Sequence, residues 1–360
     1  MDRSKLERAS ASLLSQGYAV VDDALPCAAL AKLHGDMVQL RQQNGLRQHR
    51  FGFKAAAADA KPQIYTKPFI FEAELGDPGT AALQETFHSL DLQNTLRDAL
   101  PALGLVGRPS DGPAGAAGGY DGITIKMQCN EGGGCFPLHY DNAGPPSRRR
   151  LTALFYLNPR WVTSDGGELE LCPWLAPPVR VPPLYGRLVL FLSDVVVHRV
   201  LPSRARRYCF TVWIDGTNTN SAASLRLDPR ASPCAALRMD PAQRILSRAV
   251  YAEEYAESIR ECFRATPEQM AAVLESHERH VESQMTGSAA FARLVQEARA
   301  SKPPPSQDEP RAADISTHAV GCGQLMVPHA VVKLTLRASS GRQVRLRLSG
   351  RVGAHSNRAH

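Results

Sequence analysis

Residues 186–215 have the sequence GRLVLFLSDVVVHRVLPSRARRYCFTVWID, which contains two strongly apolar runs, RLVLFLS and RYCFTVWI. Each run has the length of a strand and is bounded by Gly, Pro, Ser or Asp. Three similar runs come earlier in the chain: ITIKMQC (123–129), LTALFYL (151–157) and GELELC (167–172). Five such runs at short intervals, without helical periodicity between them, predict a β-sandwich or barrel over residues 121–216.

The segments on either side of this β region have helical patterns. Before it, residues 17–23 (GYAVVDD) indicate a short strand that leads into an amphipathic helix, and a second helix is predicted at 81–100. Residues 51–75 indicate a long irregular excursion. After the β region, helices are predicted for LSRAVYAEEYAESIRECF (246–263) and PEQMAAVLESHERHV (267–281). The predicted fold class is α+β, a mostly β core with flanking α-helices.

Composition divides the chain into five regions. They are an N-terminal support region of helices and strands (1–120), the β core (121–216), a C-terminal helical region (217–300), a linker (301–316) and a basic tail (317–360). The linker contains the Pro-rich sequence SKPPPSQDEP. In the tail, apolar residues alternate with polar ones on both sides of a Ser-Ser-Gly turn, which predicts a β-hairpin.

The net charge of +7 belongs to the tail. Residues 317–360 contain seven Lys and Arg residues and no Asp or Glu, so the rest of the chain is close to neutral. A polyanion or an acidic partner attracted by charge is therefore expected to contact the tail. The β core gives no basic surface that would favour a nucleic-acid substrate.

Cysteine usage and hydropathy indicate an intracellular protein. The eight cysteines include no CxxC pair, which argues against a disulfide framework or a structural zinc site. No stretch approaches the roughly 18 to 20 apolar residues of a membrane span, and the N-terminus lacks an apolar signal segment. We expect no membrane association and a cytoplasmic or nuclear location.

Three side chains within the β region form a candidate metal site. His139 and Asp141 are two residues apart, so on an extended segment they point to the same side, and His198 follows 59 positions after His139. Two imidazoles and one carboxylate on one face of an octahedral ion leave three adjacent positions open. Non-haem Fe(II) oxygenases need this arrangement for a bidentate cosubstrate and O₂. The pattern therefore predicts iron ligation by these three residues.

The same region resembles the prolyl 4-hydroxylase branch of the Fe(II)/2-oxoglutarate dioxygenases, and especially the cytosolic oxygen-sensing prolyl hydroxylases. The resemblance covers residues 121–216 and rests on LHYDN, FYLN, GGEL and HRVLPSRARRYCFTVWID, which occur in family order. It implies a double-stranded β-helix, or jelly roll, in which His139, Asp141 and His198 bind Fe(II). It also implies that Arg207 binds the distal carboxylate of 2-oxoglutarate, a two-point pairing that suits guanidinium.

Strand parity selects the same arginine among the four that follow His198. In RYCFTVWI, alternation places one mixed polar set on one face, and an almost purely apolar set on the other. The first set consists of Arg207, Cys209, Thr211 and Trp213, and the second consists of Tyr208, Phe210, Val212 and Ile214. Arg206 then faces away, and Arg199 and Arg204 fall in the Pro-containing loop before the strand.

The resemblance implies roles for further residues. Tyr156 and Thr211 match positions at the cosubstrate, whereas Trp213 and Arg149 match cavity-lining and substrate-side positions. Cys129 stands ten residues before the first metal histidine, where the closest relatives have a second cosubstrate tyrosine. We expect this cysteine to line the cavity and to alter how 2-oxoglutarate and substrate bind.

The expected function is hydroxylation of a substrate C–H bond, most naturally in a peptidyl proline, with Fe(II), 2-oxoglutarate and O₂, and with ascorbate as a reductant. The expected partner is a protein or peptide substrate. Two alternatives stay open at this stage. One is a dioxygenase that acts on a nucleic acid or a small molecule, and the other is a non-catalytic module that binds 2-oxoglutarate and iron.

Overall fold

The computed structural model describes residues 2–53, 63–107, 122–142, 144–217, 237–303, 335–337 and 343–345. The chain forms two compact units, residues 1–316 and 317–360. Strands of the first unit are β1 (Tyr18–Val21), β2 (Arg47–Phe53), β3 (Gln63–Glu74), β4 (Ile123–Asn130), β5 (Gly134–His139), β6 (Arg149–Tyr156), β7 (Leu169–Cys172), β8 (Val179–Val181), β9 (Leu188–Leu192), β10 (Val197–Ser203) and β11 (Arg207–Asp215).

Helices flank these strands on both sides in the sequence. The N-terminal helices are α1 (Arg3–Gln16), α2 (Cys27–Gln42), α3 (Ala81–Leu90) and α4 (Leu92–Ala99). The C-terminal helices are α5 (Gln243–Val250), α6 (Ala252–Cys262), α7 (Pro267–Gly287) and α8 (Ala289–Ala300). The predicted α+β class, with a mostly β core and flanking helices, is confirmed.

Two antiparallel sheets build the core. The larger has the order β1-β9-β6-β11-β4-β3-β2, and the smaller has the order β5-β10-β7-β8. Both sheets contribute to one apolar cluster, to which the larger sheet supplies Phe155 and Leu190 and the smaller sheet supplies Leu171. Burying each such side chain contributes about 1.5–3 kcal/mol. Two sheets that share one core in this way form the expected double-stranded β-helix.

The alternation of β11 determines what lies on each side of the larger sheet. Phe210 stacks on Phe155 of β6 at 4.5 Å between ring centroids and contacts Phe87 of α3 at 4.7 Å. Phe210 therefore faces the N-terminal helices, as parity predicts. The opposite face, which carries Arg207 and Thr211, faces the interior between the sheets.

The irregular excursion predicted at 51–75 is wrong. Of its described residues, 51–53 belong to β2 and 63–74 to β3, which pairs with β2 and then with β4 near the edge of the larger sheet. Residues 54–62 lie outside the described residues. Pro68 obscured the strand, because proline cannot donate to a ladder. The structure accommodates it in an irregular stretch: the β2–β3 register shifts between Gln48 and Arg50, and β3 pairs with β4 only from Ile70 onward.

The single helix predicted at 81–100 is two helices. Asp91 lies between α3 and α4 in the left-handed conformation, with φ +42° and ψ +49°. Asp tolerates this conformation better than most residues. The helical pattern of the sequence therefore continues across Asp91 and does not reveal the break between the two helices.

The C-terminal helices cover the smaller sheet. The backbone N–H of Leu138 in β5 donates to Ser258 Oγ of α6 at 3.1 Å. Leu138 and Val197 share an apolar cluster with Leu246 of α5 and Val295 of α8. These helices therefore pack directly beside the strand end that carries His139.

The second unit contains one short antiparallel pair among its described residues, β12 (Thr335–Arg337) and β13 (Gln343–Arg345), with Leu336 opposite Val344. This pair lies in the segment for which a hairpin is predicted. Residues 304–334 and 346–360, which include most of the predicted linker and tail, lie outside the described residues. No helix in the described part of the chain is long and apolar enough to cross a membrane.

Candidate active site

A cavity of about 790 Å³ opens between the two sheets. Strands β5, β10 and β11 contribute His139, His198 and Arg207 to its lining, and helices α5 and α7 contribute residues on another side. The candidate metal ligands and the candidate cosubstrate arginine therefore lie in one enclosed space.

The structure brings His139, Asp141 and His198 together. His139 ends β5 and pairs in register with His198 of β10, and Asp141 follows two residues after His139. The Nε2 atoms of His139 and His198 lie 3.6 and 3.8 Å from Asp141 Oδ1. All three ligand atoms lie within 4.8 Å of one another, which is close enough for one ion to contact them all. Among the described residues this is the single cluster with such spacing.

Backbone carbonyls fix the tautomer of both histidines. His139 Nδ1 lies 2.8 Å from the carbonyl oxygen of Pro137, and His198 Nδ1 lies 3.3 Å from that of Val196. A carbonyl can only accept, so each Nδ1 carries the proton and each Nε2 presents a lone pair. Burial, and then the neighbouring His139, lower the pKa of His198 to about 4. Its ring is therefore neutral, which is the form that binds a metal.

Two hydroxyl groups orient the carboxylate of Asp141. Thr152 Oγ1 donates to Asp141 Oδ2 at 2.8 Å, and Ser193 Oγ lies 2.8 Å from Thr152 Oγ1. Because Thr152 has one hydroxyl proton, Ser193 must donate to Thr152 in this chain. Burial works to raise the pKa of Asp141, but attraction to the protonated forms of the two imidazoles at acidic pH outweighs it and holds the pKa well below the usual range. The donor set of two neutral imidazoles and one carboxylate fits a divalent transition-metal ion.

Arg207 is buried at the inner end of the cavity with a defined orientation. Its Nε donates to the carbonyl of Gly167 at 2.7 Å, Nη1 donates to Cys209 Sγ at 3.2 Å, and Nη2 donates to Tyr156 Oη at 3.3 Å. A guanidinium has five N–H groups, so two remain for a ligand. No carboxylate of the described residues pairs with this guanidinium, although an unpaired buried charge is strongly unfavourable. The side chain is therefore ready to bind an anionic group that enters from the cavity.

Tyr156 and Thr211 lie beside this arginine. Burial raises the pKa of Tyr156 to about 12, so the phenol stays protonated at neutral pH. Because its oxygen accepts from Arg207, its own proton is available to a ligand. Thr211 lines the same cavity four residues along β11. Of the two further residues expected at the cosubstrate, Tyr156 thus contacts the Arg207 guanidinium and Thr211 lines the cavity.

The other three arginines after His198 do not line the cavity. Arg206 faces away, as parity predicts, and Arg204 lies in the loop before β11, whereas Arg199, which was also expected in that loop, lies in strand β10. Arg199 pairs with Glu170 and Glu261, Arg204 donates to the carbonyl of Ser164, and Arg206 pairs with Glu131 at the surface. Each already has an acceptor outside the cavity. The placement of Arg207 inside is therefore specific to its position on β11.

Gly167 explains why the GGEL motif accompanies Arg207. Its φ of +79° favours glycine, and a Cβ at this position would lie 2.8 Å from Arg207 Cδ and 2.8 Å from Ser203 Oγ. Its carbonyl also anchors Arg207 Nε. No role was predicted for this residue from the sequence, although the paired glycines before β7 were a visible signal.

We predict that Gly167→Ala raises the KM for 2-oxoglutarate about tenfold or more, because the methyl group displaces the Arg207 side chain by a distance that matters for oriented binding. Steady-state titration measures this effect, and iron affinity is expected to stay near the wild-type value. Gly35→Ala in α2 is the matched control, since a Cβ there meets nothing within 4 Å. An unchanged KM in a folded Gly167→Ala protein would contradict the requirement for glycine beside Arg207.

Trp213 and Arg149 lie together on the cavity wall. The Arg149 guanidinium carbon lies 4.2 Å from the centroid of the Trp213 ring, and Nη1 donates to the carbonyl of Asp141 at 3.4 Å. Arg149 therefore borders the metal-binding segment without binding its carboxylate. Both residues line the cavity, as expected.

The expectation that Cys129 lines the cavity is wrong. Cys129 is fully buried and pairs with Tyr208 of β11, which lies on the opposite face of the sheet from Arg207. The cavity side of β4 carries Gln128, opposite Cys209, and Lys126, opposite Thr211. A position counted from the motif histidine was thus displaced by one residue, and one residue reverses the face of a strand.

Five residues that line the cavity were not identified from the sequence: Thr152, Gln128, Lys126 and the two arginines of α5. Thr152 stands in an apolar run, where a threonine is ordinary, and the α5 residues lie outside the β region altogether. These residues reach the cavity only because the fold brings their strands and helices into contact.

Comparison with known proteins agrees with this geometry. The family model of the 2OG-Fe(II) oxygenase superfamily matches residues 125–215. A solved prolyl 4-hydroxylase from Phytophthora capsici is 35% identical, with 83% of this chain and 93% of that chain covered and a TM-score of 0.66. A Pseudomonas putida prolyl-4-hydroxylase is 24% identical, with 59% and 98% covered and a TM-score of 0.44. A search of curated proteins finds no match.

A third solved structure is a prolyl hydroxylase from Trichoplax adhaerens in complex with a peptide fragment of the oxygen degradation domain of hypoxia-inducible factor. It is 23% identical to this chain, with 59% of this chain and 91% of that chain covered and a TM-score of 0.44.

Proposed function

Because this chain belongs to the 2OG-Fe(II) oxygenase superfamily, in its prolyl 4-hydroxylase branch, we propose that it hydroxylates proline residues of a protein or peptide substrate. The proposal draws on the similarity to the Phytophthora capsici prolyl 4-hydroxylase, which extends over most of both chains. Fe(II) and 2-oxoglutarate are the cofactor and cosubstrate typical of this family.

One observation carries the proposal: the three candidate metal ligands share one cavity with a buried arginine that has no carboxylate partner in the described part of the chain. An oxygenase of this type needs a divalent metal and an anionic cosubstrate side by side, and the cavity offers a binding group for each. In this proposal His139, Asp141 and His198 hold the metal ion. Arg207 binds the distal carboxylate of 2-oxoglutarate, with the Tyr156 hydroxyl donating to the same group.

An Fe(II) ion held by His139, Asp141 and His198 would supply the redox chemistry by which 2-oxoglutarate and O₂ give succinate, CO₂ and the oxygen atom that is added to the substrate. The chain's own residues supply orientation and exclusion of water. Thr152 and the two backbone carbonyls hold the ligands in one geometry, and the apolar side chains of Leu154, Phe191 and Val200 line the wall. Trp213 and Arg149 border the space left for the substrate, and Thr211 is assigned to the cosubstrate.

The test is turnover on synthetic peptides. Protein loaded with Fe(II) under nitrogen is mixed with 2-oxoglutarate, air and blocked proline-containing peptides, and the mass gain of one oxygen atom per peptide is measured with succinate formation. We expect equal amounts of succinate and hydroxylated peptide, with the oxygen at C4 of the proline ring. A peptide with alanine in place of the proline is the control, and it should stay unmodified.

The outcome distinguishes prolyl hydroxylation from the two alternative functions. Succinate that forms without oxidation of any proline would direct the search to a nucleic acid or a small molecule. The absence of any 2-oxoglutarate turnover, with iron bound, would indicate a non-catalytic binding module.

Three finer statements accompany the proposal. Ascorbate is proposed as the reductant that keeps the metal ferrous. A cytoplasmic or nuclear location is supported by the cysteines, because five of those described are free thiols, as expected in a reducing compartment: Cys129, Cys135, Cys172, Cys209 and Cys262. The basic tail is proposed to bind a polyanion or an acidic partner, and such binding should weaken steeply with salt.

A further inference from the structure

The cavity lining has a strong excess of positive charge. Its Lys and Arg residues are Lys67, Lys126, Arg149, Arg207, Arg244 and Arg248. The one carboxylate among its described lining residues is Asp141, a candidate metal ligand. Lys126 is paired with Glu72 at 3.1 Å, and Arg207 is assigned to the cosubstrate. The two arginines of α5, Arg244 and Arg248, have no such assignment, and they lie outside the segment that the family model matches.

Helix α5 is attached to the metal-binding segment. Tyr140, between His139 and Asp141, has its hydroxyl 2.5 Å from Ser247 Oγ. Arg244 Nη1 donates to the carbonyl of Asn142 at 2.9 Å. The face of α5 that carries the arginines is therefore held at a fixed place beside the site.

Arg248 donates to a neutral group where a negatively charged partner is expected. Its Nε donates to His277 Nδ1 at 3.1 Å, and His277 Nε2 lies 2.9 Å from the carbonyl of Ala252. The carbonyl requires the proton on Nε2, so Nδ1 accepts and the imidazole is neutral. Burial also lowers the pKa of both His277 and Arg248. Arginine stays charged at neutral pH, so this half-buried guanidinium has no counter-ion among the described residues, an arrangement that is unfavourable unless an anion binds.

Arg244 and Arg149 add to the same charge. Arg149 donates to the carbonyl of Asp141 and Arg244 donates to the next carbonyl, that of Asn142. Neighbouring carbonyls therefore hold two guanidinium groups near each other, and neither pairs with a carboxylate of the described residues. Like charges held together in a cavity attract an anion from solution.

We propose that Arg248, with Arg244 beside it, forms a subsite for the carboxylate of an acidic side chain that lies near the target proline in the peptide substrate. The inference rests on the proposed function for the identity of the substrate. It goes beyond it by assigning the specificity of the site to the C-terminal helical region. Guanidinium suits this role because it can make two parallel hydrogen bonds to one carboxylate.

The test measures binding without turnover. Protein loaded with Fe(II) and 2-oxoglutarate is kept under nitrogen, and fluorescence anisotropy gives the Kd of labelled proline peptides blocked at both ends. The peptides carry Asp, Asn or Lys at each position flanking the proline in turn. At one position or more, Asp is expected to bind about tenfold to a hundredfold more tightly than Asn, the range for charged hydrogen bonds.

Variants identify the residue responsible. Arg248→Gln should reduce the Asp-to-Asn preference to about one, and Arg248→Lys should keep part of it because the charge remains. Arg260→Gln is the matched control, since Arg260 is an exposed arginine of the neighbouring helix α6 that does not line the cavity. Thermal unfolding of each variant verifies that it is folded.

Equal binding of Asp and Asn peptides at every position, or no measurable binding of any Asp peptide, overturns the subsite. So does a preference that survives in Arg248→Gln. A tighter Kd that requires a free C-terminal carboxylate, in peptides left unblocked, would assign the arginines to a chain terminus and overturn the side-chain proposal. Peptides that bind with the expected preference but gain no oxygen when air is admitted would refute prolyl hydroxylation while the subsite stands.

Discussion

Arg207→Ala is expected to raise the KM for 2-oxoglutarate by about 10²-fold or more, the loss that follows when two charged hydrogen bonds to one carboxylate are removed. Arg207 lies within the cavity with two N–H groups available and no carboxylate partner in the part of the chain that the structure describes. Arg207→Lys should recover only part of the affinity, because a single ammonium cannot reproduce the two-point geometry. The measurement is a 2-oxoglutarate titration of succinate release.

The neighbouring residue supplies the control for this experiment. Arg206→Ala removes the same side chain one position earlier, where it pairs with Glu131 at the surface. Its KM for 2-oxoglutarate should equal that of the wild type. If Arg206→Ala were the more damaging change, the assignment of faces on β11 would be incorrect. Iron affinity, measured separately, should be unaffected in both variants.

Asp141→Ala is expected to reduce turnover below detection. Asp141 supplies the single carboxylate of the candidate metal site, and its Oδ1 lies 3.6 and 3.8 Å from the two imidazole Nε2 atoms. Removing it takes away one of three ligands and the negative charge that balances a divalent ion. His198→Ala should have the same consequence. Iron binding is measured by equilibrium titration, and turnover by succinate formation.

The fold should survive these changes, because neither residue contributes to the apolar clusters of the core. Thermal unfolding tests this, and Glu253→Ala, an exposed acidic residue at the start of α6, is the control for loss of a carboxylate. Near wild-type turnover in Asp141→Ala or His198→Ala would disprove the metal assignment.

The strands of the core could be predicted from the sequence because both of their faces are buried. Runs such as RLVLFLS and RYCFTVWI are mostly apolar, and both became strands of the larger sheet. Strand β3 could not be predicted, because it lies near the edge of that sheet and contains Pro68 and several polar residues. Edge strands need less apolar content, so their patterns are weaker.

The candidate site likewise contains residues that could be predicted from the sequence and residues that could not. The strand period accounts for the spacing of His139 and Asp141 and for the face of Arg207, whereas His198 was identified by its place in the order of motifs. The structure brings all four together in one cavity. Cys129 was misplaced because a count along the chain does not register a one-residue shift between faces. Arg248 and His277 could not be identified, since their contact joins two helices whose packing no local pattern specifies.

The hydrogen bond from Thr152 would favour one-oxygen binding of a metal ion by Asp141. Oδ2 is engaged by the Thr152 hydroxyl at 2.8 Å, and Oδ1 is the oxygen near both imidazoles. A carboxylate free to rotate could chelate through both oxygens, and it would then occupy a position that cosubstrate or O₂ requires. The Thr152 hydroxyl on strand β6, which is itself held by Ser193, would therefore limit the number of coordination positions that protein side chains occupy on a bound metal ion.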